Sequence, residues 1–283
     1  MRYAELHART HSVSQMGEVM NAMRGVAAAR AQQSRQQLET VQKYADVVAT
    51  TISQVLAMTP NLPASSAHGK GAALLILFCA EHGFAGAFSE KIFAAADPGL
   101  ADQVLFIVGT RGQQMARARK LTPAWSEPMM AQLDNAAALA DRLVTALTRQ
   151  LHGGAIERVD IIYARTQLPQ GSQIRRLQLL PFDYGRFTPQ AATQPPLLNL
   201  PAARLLAQLA QEYLFAQLNE AIVHSYAAEN MARLQTMTAA REHIRNKLEV
   251  LSSQEQQARQ SEITAEIIEL VAGSSMHVEG LTK

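Results

Sequence analysis

Two long segments, one at each end of the chain, carry almost no residue that would interrupt a helix. From Met1 to Met58 there is no proline and only two glycines, Gly17 and Gly25, and from residue 202 to residue 272 there is neither. Proline and glycine are the residues that most often end helices, so these segments predict two exceptionally long helices. A small globular domain cannot bury helices of this length.

Both segments carry apolar residues at alternating spacings of three and four, which predicts a coiled-coil seam. A long apolar seam does not remain in water, and the simplest partner for each helix is the other one, packed antiparallel. Two charged residues, Arg241 and Glu255, interrupt the C-terminal seam, and the N-terminal seam changes phase across residues 30–37. The N-terminal seam comprises Val13, Met16, Met20, Met23, Ala27, Leu38, Val41, Ala45, Val48, Ile52 and Val55, and the C-terminal seam comprises Leu234, Met237, Ile244, Leu248, Leu251 and Ala258.

The middle of the chain has a different pattern, in which short apolar runs alternate with helical stretches. Strands are predicted at 73–79, 103–108, 159–163 and 174–180, and helices at 88–96, 112–119 and 130–151. Strand–helix–strand alternation favours a small α/β domain with a mainly parallel sheet. The resulting division is an N-terminal helix (1–59), a linker (60–72), a central α/β domain (73–200), a C-terminal helix (201–273) and a polar tail (274–283).

Composition and charge exclude several classes of protein. The chain has 26 basic and 24 acidic residues, and 48% of its residues are hydrophobic, which argues against a disordered chain or a polybasic nucleic-acid-binding arm. The longest apolar run, from Ala72 to Ala80, is about half as long as a membrane-spanning helix. Glu5 and His7 interrupt the start of the chain where an export signal would be apolar. We therefore expect no nucleic-acid partner and no direct membrane insertion.

Two turns that follow predicted strands could carry chemistry. Gly109-Thr-Arg-Gly112 lies where α/β folds bind phosphate, but it lacks the further glycines of a dinucleotide loop and the Lys of a P-loop. The turn from His82 to Gly86 has Glu81 beside it, but no recognisable set of Ser, Asp and His residues accompanies it. A structural strand-to-helix turn is favoured in both cases, and nucleotide binding is the alternative at Gly109.

The histidines, the single cysteine and a basic stretch give equally weak indications of a metal, catalytic or nucleic-acid-binding site. His7 and His11 share a helix face but lack a further metal ligand, so solvated histidines are favoured. Cys79, the single cysteine, cannot form an intramolecular disulfide and ends an apolar run, which favours a buried core residue. The basic stretch Arg24, Arg30 and Arg35 has no interleaved aromatic residues, so a protein-facing or solvated surface is favoured over nucleic-acid binding.

Four segments together resemble the gamma subunit of the F-type ATP synthases. Val19-Met-Asn-Ala-Met-Arg-Gly-Val-Ala-Ala-Ala-Arg30 is similar to the family's N-terminal Ala-Met-Lys/Glu-Met-Val-Ala-Ala signature. Ala228-Glu-Asn-Met-Ala-Arg-Leu234 and Ala258-Arg-Gln-Ser-Glu-Ile-Thr-Ala-Glu-Ile-Ile-Glu-Leu-Val271 resemble the family's two C-terminal blocks. Leu179-Leu-Pro181 occurs where the family has Leu-Leu-Pro. The resemblance covers nearly the whole chain, including its unusual layout.

The resemblance implies a rotor. In that family the two terminal helices form an antiparallel shaft inside a ring of alpha and beta subunits, and the α/β domain contacts the epsilon subunit and the membrane c-ring. Ion-driven rotation of this shaft changes the nucleotide affinities of the catalytic subunits. The implied protein is a divergent bacterial member, a non-catalytic subunit without cofactor or metal, peripheral on the cytoplasmic face of the inner membrane.

The resemblance also assigns partner-contact residues, one by one. Arg259, Gln260, Thr264 and Glu266 match positions that engage the catch region of a catalytic subunit in the family. Glu229 and Arg233 match a pair that is linked to coupling efficiency, and they stand four residues apart, where a helical ion pair can form. An ordinary surface pair is the alternative for these two residues. Met23 and Arg24 match the family's Ala-Met-Lys turn, where the shaft faces the ring of catalytic subunits, and Arg30 follows on the same helix.

The chain departs from the family pattern in its middle and in its N-terminal helix. The family's Ser-x-Arg-Gly-Leu-Cys-Gly-Gly stretch is Cys79-Ala-Glu-His-Gly-Phe-Ala-Gly86 here, and Gly25 replaces a large apolar residue. Two alternatives from other classes stay open at this point. One is a nucleotide-binding α/β enzyme with helical dimerisation arms, and the other is a coiled-coil scaffold.

Overall fold

The computed structural model describes residues 3–59, 72–97, 99–154, 156–167, 171–189 and 197–279. The predicted linker falls almost entirely outside these ranges. The chain divides into two compact units, and both long helices contribute to each of them. The first unit comprises Met1–Val26 and Leu234–Lys283, and the second comprises Ala27–Arg233. None of the described helices is long and apolar enough to cross a membrane.

The order of elements follows the predicted layout. The terminal helices are longer than any other element, and α5 continues past residue 273 to Glu279, so the first residues of the expected tail are helical. Single 3-10 turns lie at Leu100–Asp102, Leu133–Asn135 and Tyr184–Arg186. The helices and strands are α1 (Tyr3–Ala57), β1 (Ala72–Phe78), α2 (Phe88–Ala96), β2 (Val104–Val108), α3 (Thr110–Ala118), β3 (Trp125–Glu127), α4 (Ala136–Leu151), β4 (Ile156–Gln167), β5 (Gly171–Leu180) and α5 (Ala202–Glu279).

In the first unit, α1 and α5 pack antiparallel. The backbone N–H of Tyr3 donates to Glu262, and the ring of His7 lies 2.7 Å from the Glu255 carboxylate. A Cβ on Gly17 would lie 3.2 Å from the Ile244 side chain. Residue numbers therefore rise along α1 as they fall along α5, as predicted.

The observed seam differs from the predicted one at its N-terminal end. Met16 is 59% exposed, so its assignment to the seam was wrong, and Gly17 faces α5 instead. The missing side chain of Gly17 leaves room for Ile244 on the opposite helix. The second half of the predicted N-terminal seam is buried throughout, at Leu38, Val41, Ala45, Val48, Ile52 and Val55.

The second unit is built on a five-stranded sheet with the strand order β3-β2-β1-β4-β5. The β1–β2, β1–β4 and β2–β3 pairs are parallel and β4–β5 is antiparallel, which confirms a mainly parallel sheet. The central strand β1 is buried on both faces, which explains its continuous apolar run. β3 was not predicted, because its sequence Trp-Ser-Glu is too short and too polar to show a strand pattern.

Each face of the sheet is covered by helices. On one face, Leu74 and Ile76 pack in a cluster with α4 and with residues 218–227 of α5. On the other face, Leu75 and Leu77 pack against α2 and α3, and Ala228 of α5 joins this cluster. Residues 218–228 of α5 are therefore part of the core of the α/β domain.

Candidate functional site

Glu229 and Arg233 form a buried ion pair on α5. Arg233 Nη2 donates a hydrogen bond to Glu229 Oε1 at 2.5 Å. Glu229 is 2% exposed and Arg233 is 6% exposed. Asn230 lies between them on the helix and accepts a further hydrogen bond from Arg233 Nη1 at 3.2 Å. The interpretation of this pair as an ordinary surface pair is wrong.

The same two side chains hold the backbone of the turn that follows β1. The amides of Glu81 and His82 donate to the Glu229 carboxylate at 3.2 and 3.3 Å. The guanidinium of Arg233 donates to the carbonyls of His82 and Gly83, both at 3.2 Å. Each charged group therefore meets backbone groups of opposite polarity, which compensates the cost of burying it. The pair fixes α5 to the turn at residues 81–83.

A second carboxylate, that of Glu81 after β1, accepts hydrogen bonds from residues that follow β2 and β3. Its oxygens accept from the Thr110 amide at 3.0 Å and from the Thr110 hydroxyl at 2.6 Å, which places a negative charge at the start of α3. They also accept from the Met129 amide at 2.7 Å, just after β3. The sequence showed Glu81 only as a neighbour of a turn, because its partners are 29 and 48 residues away.

The turn from Gly109 to Gly112 is filled by protein atoms. Gly109 has φ +106°, and a Cβ at that position would lie 2.3 Å from the Cys79 carbonyl oxygen. A Cβ on Gly112 would lie 2.6 Å from the Cys79 Cβ. The start of α3, where a phosphate would bind, already receives the Glu81 carboxylate. This geometry favours the strand-to-helix turn over nucleotide binding.

Cys79 is fully buried beneath these turns, which confirms that it is a core residue. Burial raises the pKa of its thiol strongly, and the negative charges of Glu229 and Glu90 raise it further. A thiol whose pKa is raised stays protonated and is a poor nucleophile. The geometry therefore assigns Cys79 a packing role.

The predicted contact residues of α1 lie in both units. Met23 and Arg24 belong to the first unit and are half-buried, and Arg24 donates to the Asn21 side chain at 3.2 Å. Arg30 belongs to the second unit and is half-buried. Burial raises the pKa of Tyr226, and the positive charge of Arg30 partly opposes this rise.

The predicted catch residues form one exposed stretch of α5 in the first unit. Arg259, Gln260, Thr264 and Glu266 are all exposed. The Thr264 hydroxyl donates to the Gln260 carbonyl at 2.8 Å, an ordinary contact within a helix. The structure thus brings these four residues together on one helix segment and places the Glu229–Arg233 pair in the other unit.

An apolar surface at the end of α5 was missed by the sequence analysis. The apolar residues that form this surface are visible in the sequence, but they lie outside the predicted heptad seam. The first described residue of α1, Tyr3, lies beside Glu262, and α5 continues well past that level. We call the following residues the apolar end of α5; they are Ile263 (46% exposed), Ile267 (54%), Ile268 (62%), Leu270 (73%) and Val271 (59%).

The histidines of α1 behave as the sequence predicts. His7 is largely exposed, and its contact lowers the pKa of Glu255. His11 is exposed, and its Nε2 lies 3.1 Å from Nε2 of the Gln15 side chain. Within the described ranges there is no group of three or more His, Cys, Asp or Glu side chains that could hold a metal ion.

Comparisons with known proteins give one consistent result. A family model described as ATP synthase matches residues 2–276. The chain is 25% identical to the ATP synthase gamma chain of Chlorobaculum tepidum, over 95% of this chain and 97% of the relative. It is also 25% identical to the ATP synthase gamma chain of Streptomyces avermitilis, over 94% of this chain and 93% of the relative.

A similar fold occurs in a solved structure of the central stalk and c-ring of the Tetrahymena thermophila mitochondrial ATP synthase. The TM-score is 0.55 at 18% sequence identity, covering 78% of this chain and 99% of that chain. A chain of the Euglena gracilis mitochondrial ATP synthase rotor gives a TM-score of 0.52 at 12% identity, covering 86% of this chain and 99% of that chain. At these identities the likeness concerns the fold alone.

Proposed function

The chain belongs to the gamma-subunit family of the F-type ATP synthases, and we propose that it couples ion-driven rotation of the membrane c-ring to the catalytic subunits through contacts made by α1 and α5. It is a non-catalytic subunit of the central stalk. Its partners are the alpha and beta subunits, the epsilon subunit and the c-ring.

Coupling of this kind requires contacts that differ between the states of the partner. A rotor shifts a catalytic subunit from one conformation to another only if it interacts more favourably with one of them. Two helices of unequal length provide a surface that differs from side to side. Rotation then presents different residues of the first unit to each catalytic subunit in turn.

The observation that carries the proposal is the apolar end of α5. Five large apolar side chains, from Ile263 to Val271, are exposed where α5 extends past Tyr3, the first described residue of α1. Exposed apolar clusters of this kind mark protein interfaces. A ring of alpha and beta subunits around the shaft would bury these side chains.

The contact residues have three distinct roles in this proposal. Arg259, Gln260, Thr264 and Glu266 form and break polar contacts with a catalytic subunit, because they are exposed and uncommitted to the core. Met23, Arg24 and Arg30 line the surface of α1 that faces the ring. Glu229 and Arg233 act indirectly, because they fix α5 to the α/β domain.

We place the subunit on the cytoplasmic face of the bacterial inner membrane. This location is supported by the bacterial source of the relatives and by a partner c-ring that lies in the membrane. We assign residues 1–59 and 201–273 to the shaft and residues 73–200 to the base, with residues 218–228 of the α5 shaft helix also packed in the core of the base.

Co-purification with the alpha and beta subunits from the same organism tests the rotor. We expect the full chain to be recovered in a complex with both subunits. The double variant Ile268→Glu, Val271→Glu should reduce this recovery, because charged groups in a buried interface are costly. Val47→Glu, which alters another exposed valine, is the matched control. A stable homodimer without alpha and beta would instead indicate a scaffold.

A further inference from the structure

A cavity of about 450 Å³ lies between the sheet and the two long helices, entirely within the second unit. β4 and β5 form its floor, and residues 42–49 of α1 and 213–220 of α5 form its walls. Its volume is within the range of small-molecule sites, about 300–1,000 Å³. The lining includes Arg165, Arg175, Arg176, Arg186, Tyr163 and Tyr213. Four arginines around one cavity require an explanation.

One of the four arginines has a clear structural partner. Arg176 donates to the Asp160 carboxylate through Nε at 2.9 Å and through Nη2 at 2.7 Å. Arg158 contacts the same carboxylate at 2.9 Å. Asp160 is 2% exposed, so two arginines compensate one buried charge. Arg176 is therefore committed to the structure of the sheet.

The other three arginines have no such partner. Within the described part of the chain, no carboxylate lies within 4.0 Å of the guanidinium groups of Arg165, Arg175 or Arg186. Arg165 pairs in register with Gln173, and Arg175 lies two residues further along β5, so the two arginines are diagonal neighbours on one face. Like charges at such positions repel each other unless an anion is bound between them.

Two acidic residues also face the cavity. Glu220 of α5 lies 3.5 Å from His224 Nε2 and accepts from the Gln217 side chain at 3.3 Å. Burial raises the pKa of Glu220, but His224, Arg165 and Gln42 together outweigh burial and lower it. Asp46 of α1 is the second acidic residue. Because Asp160 neutralises Arg176, three arginines face two carboxylates, and the lining has a surplus of one positive charge.

We propose that this cavity binds an anion that carries phosphate groups. Guanidinium groups bind phosphate oxygens in pairs, and several of them around one concave site give both affinity and orientation. Arg175 and Arg186, together with Arg165, which Glu220 partly balances, supply the guanidinium groups for the anion. This site is separate from the contact residues of the rotor and does not depend on their assignment.

Binding of inorganic pyrophosphate to the purified full chain tests the site. We expect saturable one-to-one binding by calorimetry at moderate salt. Arg175→Gln together with Arg186→Gln should weaken binding at least about tenfold, because each loses a charge-assisted hydrogen bond. Arg111→Gln together with Arg204→Gln removes the same charge from exposed positions outside the cavity and should change the affinity less than about twofold. Circular dichroism of both variants checks that the fold is retained.

A second experiment distinguishes a phosphate group of a lipid from that of a soluble compound. The same proteins are mixed with vesicles that contain phosphatidylglycerol and separated by flotation. Vesicle binding that requires Arg175 and Arg186 assigns the site to a lipid headgroup, whereas pyrophosphate binding without vesicle binding assigns it to a soluble phosphate. Binding to neither probe, or equal loss in both double variants, overturns the proposal.

Discussion

Arg233 and Glu229 are paired across one turn of α5 and are buried together against the turn after β1. The family resemblance links this pair to coupling efficiency, and on an exposed surface charge reversal at Arg233 would weaken coupling more than folding. Because the pair is buried, we expect a larger effect on folding than on coupling. The variant Arg233→Glu places two carboxylates side by side in the core. Breaking a buried ion pair costs about 3–5 kcal/mol.

We expect Arg233→Glu to lower the free energy of unfolding of the full chain by at least about 3 kcal/mol, measured by urea denaturation. Arg241→Glu, an exposed residue on the same helix, should change it by less than about 0.5 kcal/mol. The charge swap Glu229→Arg, Arg233→Glu should not restore stability. Its backbone partners have fixed polarity, since the Glu81 and His82 amides donate. Full recovery in the swap would contradict this account.

Glu81 has a stabilising role that a separate substitution tests. Glu81→Ala removes the acceptor of the Thr110 and Met129 amides, and we expect a loss of about 1–3 kcal/mol in the free energy of unfolding. Glu90→Ala, at an exposed position on α2, is the matched control and should have little effect. Equal stabilities of the two variants would show that Glu81 is dispensable.

Two helical glycines should respond to alanine in opposite directions. Gly112→Ala places a methyl group within 2.6–2.8 Å of Cys79 and Ile107, and such overpacking costs about 1–3 kcal/mol. Gly25→Ala meets nothing within 4 Å and should stabilise the chain by about 0.5–1 kcal/mol, because alanine restricts the unfolded state. Thermal unfolding of both variants beside the parent chain measures the difference. A destabilised Gly25→Ala variant would show that α1 needs a glycine there.

Cys79 should be unreactive in the native protein. Its thiol is fully buried and its pKa is raised, so at pH 8 it is protonated and inaccessible. We expect no reaction with Ellman's reagent in native buffer and one equivalent of thiol in denaturant. Arg233→Glu, which loosens the adjacent turn, should increase the native rate. Rapid labelling of the unmodified native chain would contradict the packing.

The sequence predicted those elements whose pattern is local. The α2 helix was predicted at its observed bounds, and the continuous apolar run of β1 marked a strand that is buried on both faces. The Glu229–Arg233 pair was also predicted from its spacing, but its burial was not. Burial depends on the turn at residues 81–83, which lies nearly 150 residues away in the chain. Long-range partners of this kind leave no periodic signal.

Glu266 offers the clearest test of the catch assignment, because its exposure separates coupling from folding. Glu266→Lys should leave the free energy of unfolding within about 0.5 kcal/mol of the parent value. In the assembled complex we expect it to reduce ion pumping relative to ATP hydrolysis, because the reversed charge repels the group that normally contacts Glu266.

The control for Glu266→Lys is Glu249→Lys, an exposed carboxylate on the same helix that lies 4.0 Å from Arg245 and outside the assigned residues. Pumping and hydrolysis are measured on the same membrane vesicles, so that the ratio is independent of the amount of complex. A normal ratio in Glu266→Lys would remove Glu266 from the contact surface. An equal loss in both variants would show that the overall charge of α5, and no particular residue, determines coupling.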